Sequence, residues 1–337
     1  MVSSIGVYTL NSVSAKRGEV HADLLIRHAS GSLYQEARRR LTSAAPPQPL
    51  PRPTLFGDDP LPARQAGQRD RADKDVHYTP PWLARSLVQT ALKWCVRPTG
   101  RALDILDPAC GSGVFLIEAA READRSRHDG VLLRGMDLSH EAGVMTDFCV
   151  GETRRDLQHL EVNHTVRRGV NSVREADWGS PDIVLMNPPF RAWAQLGHEQ
   201  GAVKQALRGY MTGRPDLYMA FIAKAMLALK PGGVLASVVP SAFFTVKSAA
   251  RLRQALTEGD YGVRFLGVFR GFETFDGATV EAACIVASKS PTAATTTTLI
   301  ANKGNAEKAV RLLRAHAIDT SLPQGEGVEI SESPVGM

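Results

Sequence analysis

Three short stretches of the 337-residue chain combine residue types that packing alone seldom selects. In Asp107-Pro108-Ala109-Cys110-Gly111-Ser112-Gly113 an acid precedes two glycines one residue apart. Glycines allow a tight turn and a close approach of backbone to ligand, and the acid can hold a cationic group. The run lacks the third glycine of the dinucleotide fingerprint and the Gly-Lys-Ser/Thr ending of a P-loop, so a phosphate cradle is disfavoured. Asp137 follows about two dozen residues later, where an acid at the end of a second strand would grip a ribose diol. Asn187-Pro188-Pro189-Phe190 is the most specific of the three. It deletes two backbone donors and exposes an aromatic, a poor choice for stability. The plainer alternative is a strand-terminating turn with a buried Phe.

These stretches need elements to hold them. Thr79-Pro80-Pro81 reads as a helix start with Thr79 as cap, and apolar residues from Trp82 to Cys95 recur at helical spacing. Ala102–Leu106 is a short buried strand directly before the glycine turn, and Val114–Ala123 a helix directly after it. Val131–Met136 is a strand ending at Asp137, and Ile183–Met186 another ending at Asn187. Leu217–Leu229 reads as an amphipathic helix, closed by the turn Lys230-Pro231-Gly232-Gly233. Val234–Val239 is a strand, Val246–Leu256 a helix, and Phe265–Phe269 with Val280–Ala287 two last strands. Strands separated by helices predict an α/β fold with a mainly parallel sheet covered on both faces. In such folds the ligand sits beyond the carboxyl ends of the strands.

Residues 1–75 differ in composition. A short helix is expected at Leu33–Leu41, followed by a Pro/Arg-rich linker whose prolines forbid helix continuation. A largely disordered arm is expected; its arginines are either a solvated surface or phosphate contacts. Residues 76–288 form the expected main domain. Residues 289–337 read as a Thr-rich strip and a short helical tail without a second core.

Hydrophobic content of 43% and charged content of 22% are ordinary for a globular domain. No apolar run approaches the roughly 20 residues that cross a bilayer, and the N-terminus lacks signal-peptide order. The expectation is a cytoplasmic protein away from membranes. The four cysteines (Cys95, Cys110, Cys149, Cys284) have no zinc spacing, so no metal is expected. A net charge of +5 permits nucleic-acid binding without demanding it.

From about His77 to Ala287 the chain resembles the amino-group DNA methyltransferases, closest to the adenine-specific gamma-ordered group of restriction–modification systems. HYTPPWLARSLV, LDPACGSG, GMDLS, EADWG, DIVLMNPPF, DLYMAFIAKAMLALKPGGVLASVVPSAFF and FETFDGATVEAACIVASK follow that family's motif order. The resemblance implies a Rossmann-like S-adenosylmethionine-dependent methyltransferase fold with a seven-stranded sheet. It implies S-adenosylmethionine as cofactor, DNA as substrate, and methylation of the adenine exocyclic nitrogen. Thr79 and Asp107 would hold the methionine end and Asp137 the ribose. Asp177 would read the cofactor adenine, and Ala109, Gly111 and Gly113 would line the loop. Phe221 would flank that adenine or belong to the core.

The implied chemistry explains the catalytic residues. The adenine amino lone pair is conjugated into the ring and nucleophilically weak. The side-chain oxygen of Asn187 and the carbonyl of Pro188 would bind its two hydrogens, favour a pyramidal nitrogen, and stabilise the developing positive charge. The target base must leave the stack to be reached. Phe190 would cover one face of the flipped base; Phe275 would cover the other or pack in the core. Cytosine-C5 chemistry needs a Pro-Cys nucleophile, and no cysteine here follows proline. Cytosine-N4 transfer shares the amine logic, but Asn187 stands where those members usually carry Ser.

About fifty residues follow the last motif, too few for the target-recognition domain such proteins usually carry. A separate specificity or restriction subunit is therefore expected. Two rival readings remain: an RNA or release-factor-type glutamine methyltransferase, and a non-catalytic remnant that binds DNA or a partner.

Overall fold

A computed structural model describes residues 79–174, 177–258, 260–269, 281–290, 295–301 and 328–334. The chain divides into two units, Met1–Val76 and His77–Met337. The first unit, with the expected Leu33–Leu41 helix and linker, lies outside the described residues.

The second unit is built on one nine-stranded sheet of order β3-β2-β1-β4-β5-β7-β6-β8-β9. The strands are β1 (Leu103–Asp107), β2 (Gly130–Asp137), β3 (Glu161–Arg168), β4 (Ile183–Met186) and β5 (Val234–Pro240). They continue with β6 (Gly262–Phe269), β7 (Ala282–Ser288), β8 (Thr295–Ala301) and β9 (Val328–Pro334). Strands β1 to β5 are mutually parallel, whereas β7 runs antiparallel to both β5 and β6. The first seven strands in this order are the expected mainly parallel sheet. The Thr-rich strip adds an eighth, and residues 328–334 a ninth, paired antiparallel over seven positions. This differs from the strip and tail read from sequence: threonines are β-branched and suit a pleated surface. The helix expected between β8 and β9 lies outside the described residues.

Helices cover both faces. α1 (Pro81–Trp94), α2 (Val114–Arg125) and α3 (His140–Arg155) lead on one side, and α4 (Gln200–Ala206), α5 (Leu217–Ala228) and α6 (Ala250–Thr257) follow. One core joins Leu83, Leu87, Phe115 and Leu116 to Ile105, Leu133 and Leu185; the other joins Val203, Met219, Ile222 and Leu252 to Leu106, Val184 and Leu235. Neighbouring residues of one strand thus serve opposite cores. That is why β4, β5 and β7 are largely apolar, with only Ser237 and Ser288 polar, and are buried at every position. Edge strand β3 instead alternates, with Val162 buried between exposed Glu161 and Asn163.

Three local readings need correction. Thr79 does not cap α1: Pro80 is the N-cap, and its carbonyl accepts from the Leu83 and Ala84 N–H groups. Thr79 is buried instead. α5 is not amphipathic, because it is buried on almost every side from Leu217 to Met226, between the sheet and the α4 segment. The helix expected over Val246–Leu256 is a 3-10 turn at Lys247–Ala249 running into α6.

Candidate active site

Register sets the site residues in a row. Asp107, the last residue of β1, pairs with Gly135 of β2, so Asp137 stands two residues further along the neighbouring strand. On the other side Leu106 pairs with Val184, which sets Asp107 level with Leu185 and two residues short of Asn187. Two strand residues span about 7 Å and adjacent strands lie about 4.8 Å apart. The carboxyl ends of three adjacent strands thereby bring Asp137, Asp107 and Asn187 to one edge.

The glycine turn is held from all sides. The Ala109 N–H donates to Asp107 Oδ1 at 3.0 Å, and the Cys110 N–H to the Met136 carbonyl at 2.9 Å. The Gly111 N–H donates to Asp137 Oδ2 at 2.8 Å, and Thr146 Oγ1 donates to the Gly111 carbonyl at 2.8 Å. Ser172 Oγ donates to the Pro108 carbonyl at 2.6 Å. Gly113 is the N-cap of α2 at φ 85°, a left-handed conformation, and a Cβ there would stand 3.0 Å from Thr146 Cγ2. No side chain caps α2, so the partial positive charge of its N-terminus faces the turn.

The two acids differ in environment. Asp107 is 1% exposed; burial pushes its carboxyl up to about 8, the Ala109 N–H opposes this, and the charge of Asp137 adds to it. A buried carboxyl of this kind is poised to gain a cationic partner. Asp137 is half-buried, and its other oxygen accepts the Ser139 N–H at 2.7 Å. The next residue, Leu138, is an apolar side chain 62% exposed at this edge. Sequence reasoning missed it; an exposed leucine directly after the acid was the available signal.

At Asn187 the chain leaves β4. The prolines that follow cannot extend a ladder, so they end the strand and stiffen the turn. Asn187 is half-buried, Pro188 buried, and Phe190 half-buried. Phe190 meets Tyr218 edge-on, with centroids 6.1 Å apart, and Tyr218 meets Phe243 in the same way. A ring at the mouth is thus seated on a row of buried rings.

Asp177 lies on the segment between β3 and β4; its side chain is exposed, and Oδ1 accepts the Gly179 N–H at 2.9 Å. This segment is tied to the glycine turn through Ser172. The Ser172 carbonyl accepts from Trp178 Nε1 at 2.9 Å and Lys224 Nζ at 2.8 Å. Lys224 also stands over the Trp178 ring, 5.2 Å from its centroid, and burial holds its ammonium below the usual lysine range. Phe221 is 6% exposed and packs against Trp178, the environment of a core side chain. Ser172, Trp178 and Lys224 were not found from sequence, since they act through contacts between distant segments and match no local pattern. Phe275 lies outside the described residues. The strands flanking it end at Phe269 and resume at Ala282, which pairs with Pro240 at the carboxyl end of β5.

Among the described residues no group of three or more His, Cys, Asp or Glu is arranged to hold a metal, and no helix is long and apolar enough to cross a membrane.

The type II methyltransferase M.BanIII of Aneurinibacillus aneurinilyticus is 28% identical over 222 residues, covering 61% of this chain and 37% of that protein. M.TthHB8I of Thermus thermophilus is 31% identical over 218 residues, covering 60% of this chain and 42% of its own. The chain thus spans about two fifths of the length of these curated relatives. The fold is shared with the type I restriction-modification methyltransferase subunit from Streptococcus thermophilus, at TM-score 0.55 and 18% identity over 76% of this chain and 55% of that one. The family model described as N-6 DNA Methylase matches residues 65–320. With three quarters of its length matched by that model, the chain belongs to the N-6 DNA methylase family.

Proposed function

We propose that this protein methylates the exocyclic N6 of an adenine flipped out of DNA, using S-adenosylmethionine, within a restriction–modification or related defence system. The observation that carries this reading is the row Asp137–Asp107–Asn187 at the carboxyl ends of adjacent strands. It sets a nucleoside-binding edge directly beside a stiff Asn-Pro-Pro-aromatic turn.

The residues present fit the cofactor. Asp107, whose carboxyl burial pushes up, would take the ligand's ammonium. Asp137 would accept from the ribose, and Leu138 would cover a face of the purine. Asp177 would read the purine amino group. Thr79, Ala109, Gly111 and Gly113 would line the methionine end. When bound, S-adenosylmethionine supplies an electrophilic methyl group on a sulfonium.

The chain's own residues do the rest. The Asn187 side-chain oxygen and the Pro188 carbonyl accept the two amino hydrogens of the target base. Their negative ends stabilise the positive charge that grows on the nitrogen, and losing one such contact costs on the order of 3 kcal/mol. The proline ring holds its carbonyl in place, so little reorganisation is needed. Phe190, seated on Tyr218, stacks on the flipped base, an interaction worth roughly 1–3 kcal/mol. Phe275 would face it from the β6–β7 connection.

Sequence selection is assigned to a separate specificity subunit, a reading supported by β8 and β9, which extend the catalytic sheet itself. Strong sequence-selective methylation by this chain alone would overturn that assignment. The central reading is tested by transfer of radiolabelled methyl from S-adenosylmethionine to unmethylated genomic DNA, with digestion to nucleosides. N6-methyladenine is the expected product. Label found only in N4-methylcytosine, in RNA or in a release factor would refute it.

A further inference from the structure

The charges of the catalytic unit are divided unevenly along its sheet. In residues 79–174, thirteen lysines and arginines face twelve acids. Many of them pair: Arg85 and Arg121 with Glu118, and Arg134 with Asp104. In residues 187–258 there are nine lysines and arginines against three acids, Glu199, Asp216 and Glu258. Two of the three acids are withdrawn from the surface, and only Glu258 is exposed. Glu199 is buried and bonded to Arg191 and Asn171. Asp216 is half-buried and accepts the Trp193 N–H, and Glu258 accepts from Gln254.

Five of the nine cations, Lys204, Arg208, Arg214, Lys247 and Arg251, are exposed and form no ion pair among the described residues. They come from two segments. The first leaves the carboxyl end of β4 directly after Phe190 and carries α4; the second leaves the carboxyl end of β5 and carries α6. β4 and β5 are adjacent and parallel, with Met186 beside Ser237, so both segments start at the edge that holds Asn187. Both pack into one core, where Leu196, Val203 and Leu207 share a cluster with Phe243, Leu252 and Leu256. Lys204 lies in the last turn of α4 with Arg208 on the turn that follows, and Lys247 lies on the 3-10 turn that runs into α6, whose first turn carries Arg251. Like charges gathered beside one edge repel one another, and a polyanion relieves that repulsion.

We infer that these five residues form a phosphate-gripping apron for duplex DNA beside the catalytic turn. The inference rests on the proposed function and deepens it. The apron supplies affinity that is independent of base sequence and holds the duplex at the edge where Asn187 and Phe190 act. Each phosphate neutralised releases condensed counterions, so binding must weaken with salt in proportion to the number of contacts.

The test uses the full chain and a fluorescent duplex of random sequence, titrated by anisotropy at several salt concentrations. The variant replaces all five residues with Gln (K204Q, R208Q, R214Q, K247Q, R251Q). Calorimetric binding of S-adenosylhomocysteine serves as the check on folding. The expected result is a slope of log K against log salt that is shallower by about four, and a loss of at least about tenfold in duplex affinity, with S-adenosylhomocysteine binding retained. An unchanged slope and affinity, while the unsubstituted protein still methylates DNA, overturns the apron alone. If the apron variant instead loses association with polyglutamate and keeps its duplex affinity, the surface belongs to an acidic protein partner and the inference falls. No methyl transfer and no low-salt duplex binding by the unsubstituted protein overturns the proposed function together with this inference.

Discussion

The hydroxyl of Ser172 donates to the carbonyl of Pro108 at 2.6 Å, across sixty-four residues of chain and with both groups buried. This bond joins the segment that carries Asp177 to the turn that carries Asp107. Ser172→Ala leaves a buried carbonyl without its donor, at a cost of about 1–3 kcal/mol. The expected outcome is a rise in the dissociation constant for S-adenosylhomocysteine of roughly tenfold or more, measured by calorimetry. The sheet should unfold as cooperatively as before. Affinity equal to that of the parent protein would show that the two segments are positioned independently.

Asp107 gives a pH signature. Its ordinary carboxylate range is near 4, and burial pushes it to about 8 in the folded protein. Between these values the folded state keeps a proton that the unfolded chain releases, so its contribution to stability falls as pH rises from about 4 to about 8. Asp107→Asn removes this slope while retaining an acceptor for the Ala109 N–H. Without ligand, the melting temperature of the variant relative to the parent should climb across that window and level off above it. A difference independent of pH would place the Asp107 pKa in the ordinary range.

Asn187→Ala should lower kcat by at least about 10²–10³-fold and leave S-adenosylhomocysteine affinity unchanged, because in the proposed mechanism the lost oxygen acts on the target base. Rapid-quench methyl transfer with saturating cofactor checks this. Near-normal turnover would remove Asn187 from the mechanism.

Gly113→Ala combines two penalties. The left-handed backbone costs an L-residue roughly 1–2 kcal/mol, and the new methyl would meet Thr146 Cγ2 at 3.0 Å. Adding Thr146→Ser removes that methyl and keeps a hydroxyl for the Gly111 carbonyl. Urea denaturation should show the single variant destabilised and the double variant partly restored. Full restoration would mean that the backbone conformation carries none of the cost.

The strands that carry chemistry were legible because they are apolar runs ended by punctuation: β1 by the glycine turn, β2 by Asp137, β4 by Asn-Pro-Pro. α3 and β3 were not. α3 has glycines at 143 and 151, which look unlike a helix. A Cβ at Gly143 would meet Arg168 Cγ of β3 at 2.7 Å, so the glycine serves close packing that no local pattern reveals. Its start is set by Ser139, whose Oγ accepts the Ala142 N–H. β3 is a polar edge strand whose inward positions are Val162, His164 and Val166, and with only two of them apolar the period-two signal is weak. The ninth strand pairs with the eighth across a gap of more than twenty residues, a partnership that no window on the sequence can see. At the candidate site, Asp107, Asp137 and Asn187, which register brings to one edge, were legible by type; Ser172, Trp178 and Lys224, which tie the neighbouring segments together, were not.

The reversal of β7 has a consequence for how such a protein diversifies. In a wholly parallel sheet, each return to the carboxyl edge needs a crossover helix that packs on the core. Here β6 arrives at that edge and β7 departs from it, so the chain between them begins and ends on the same edge and owes the sheet no crossover. A lineage can therefore vary the length of that span while the row of Asp137, Asp107 and Asn187 stays fixed by strand register.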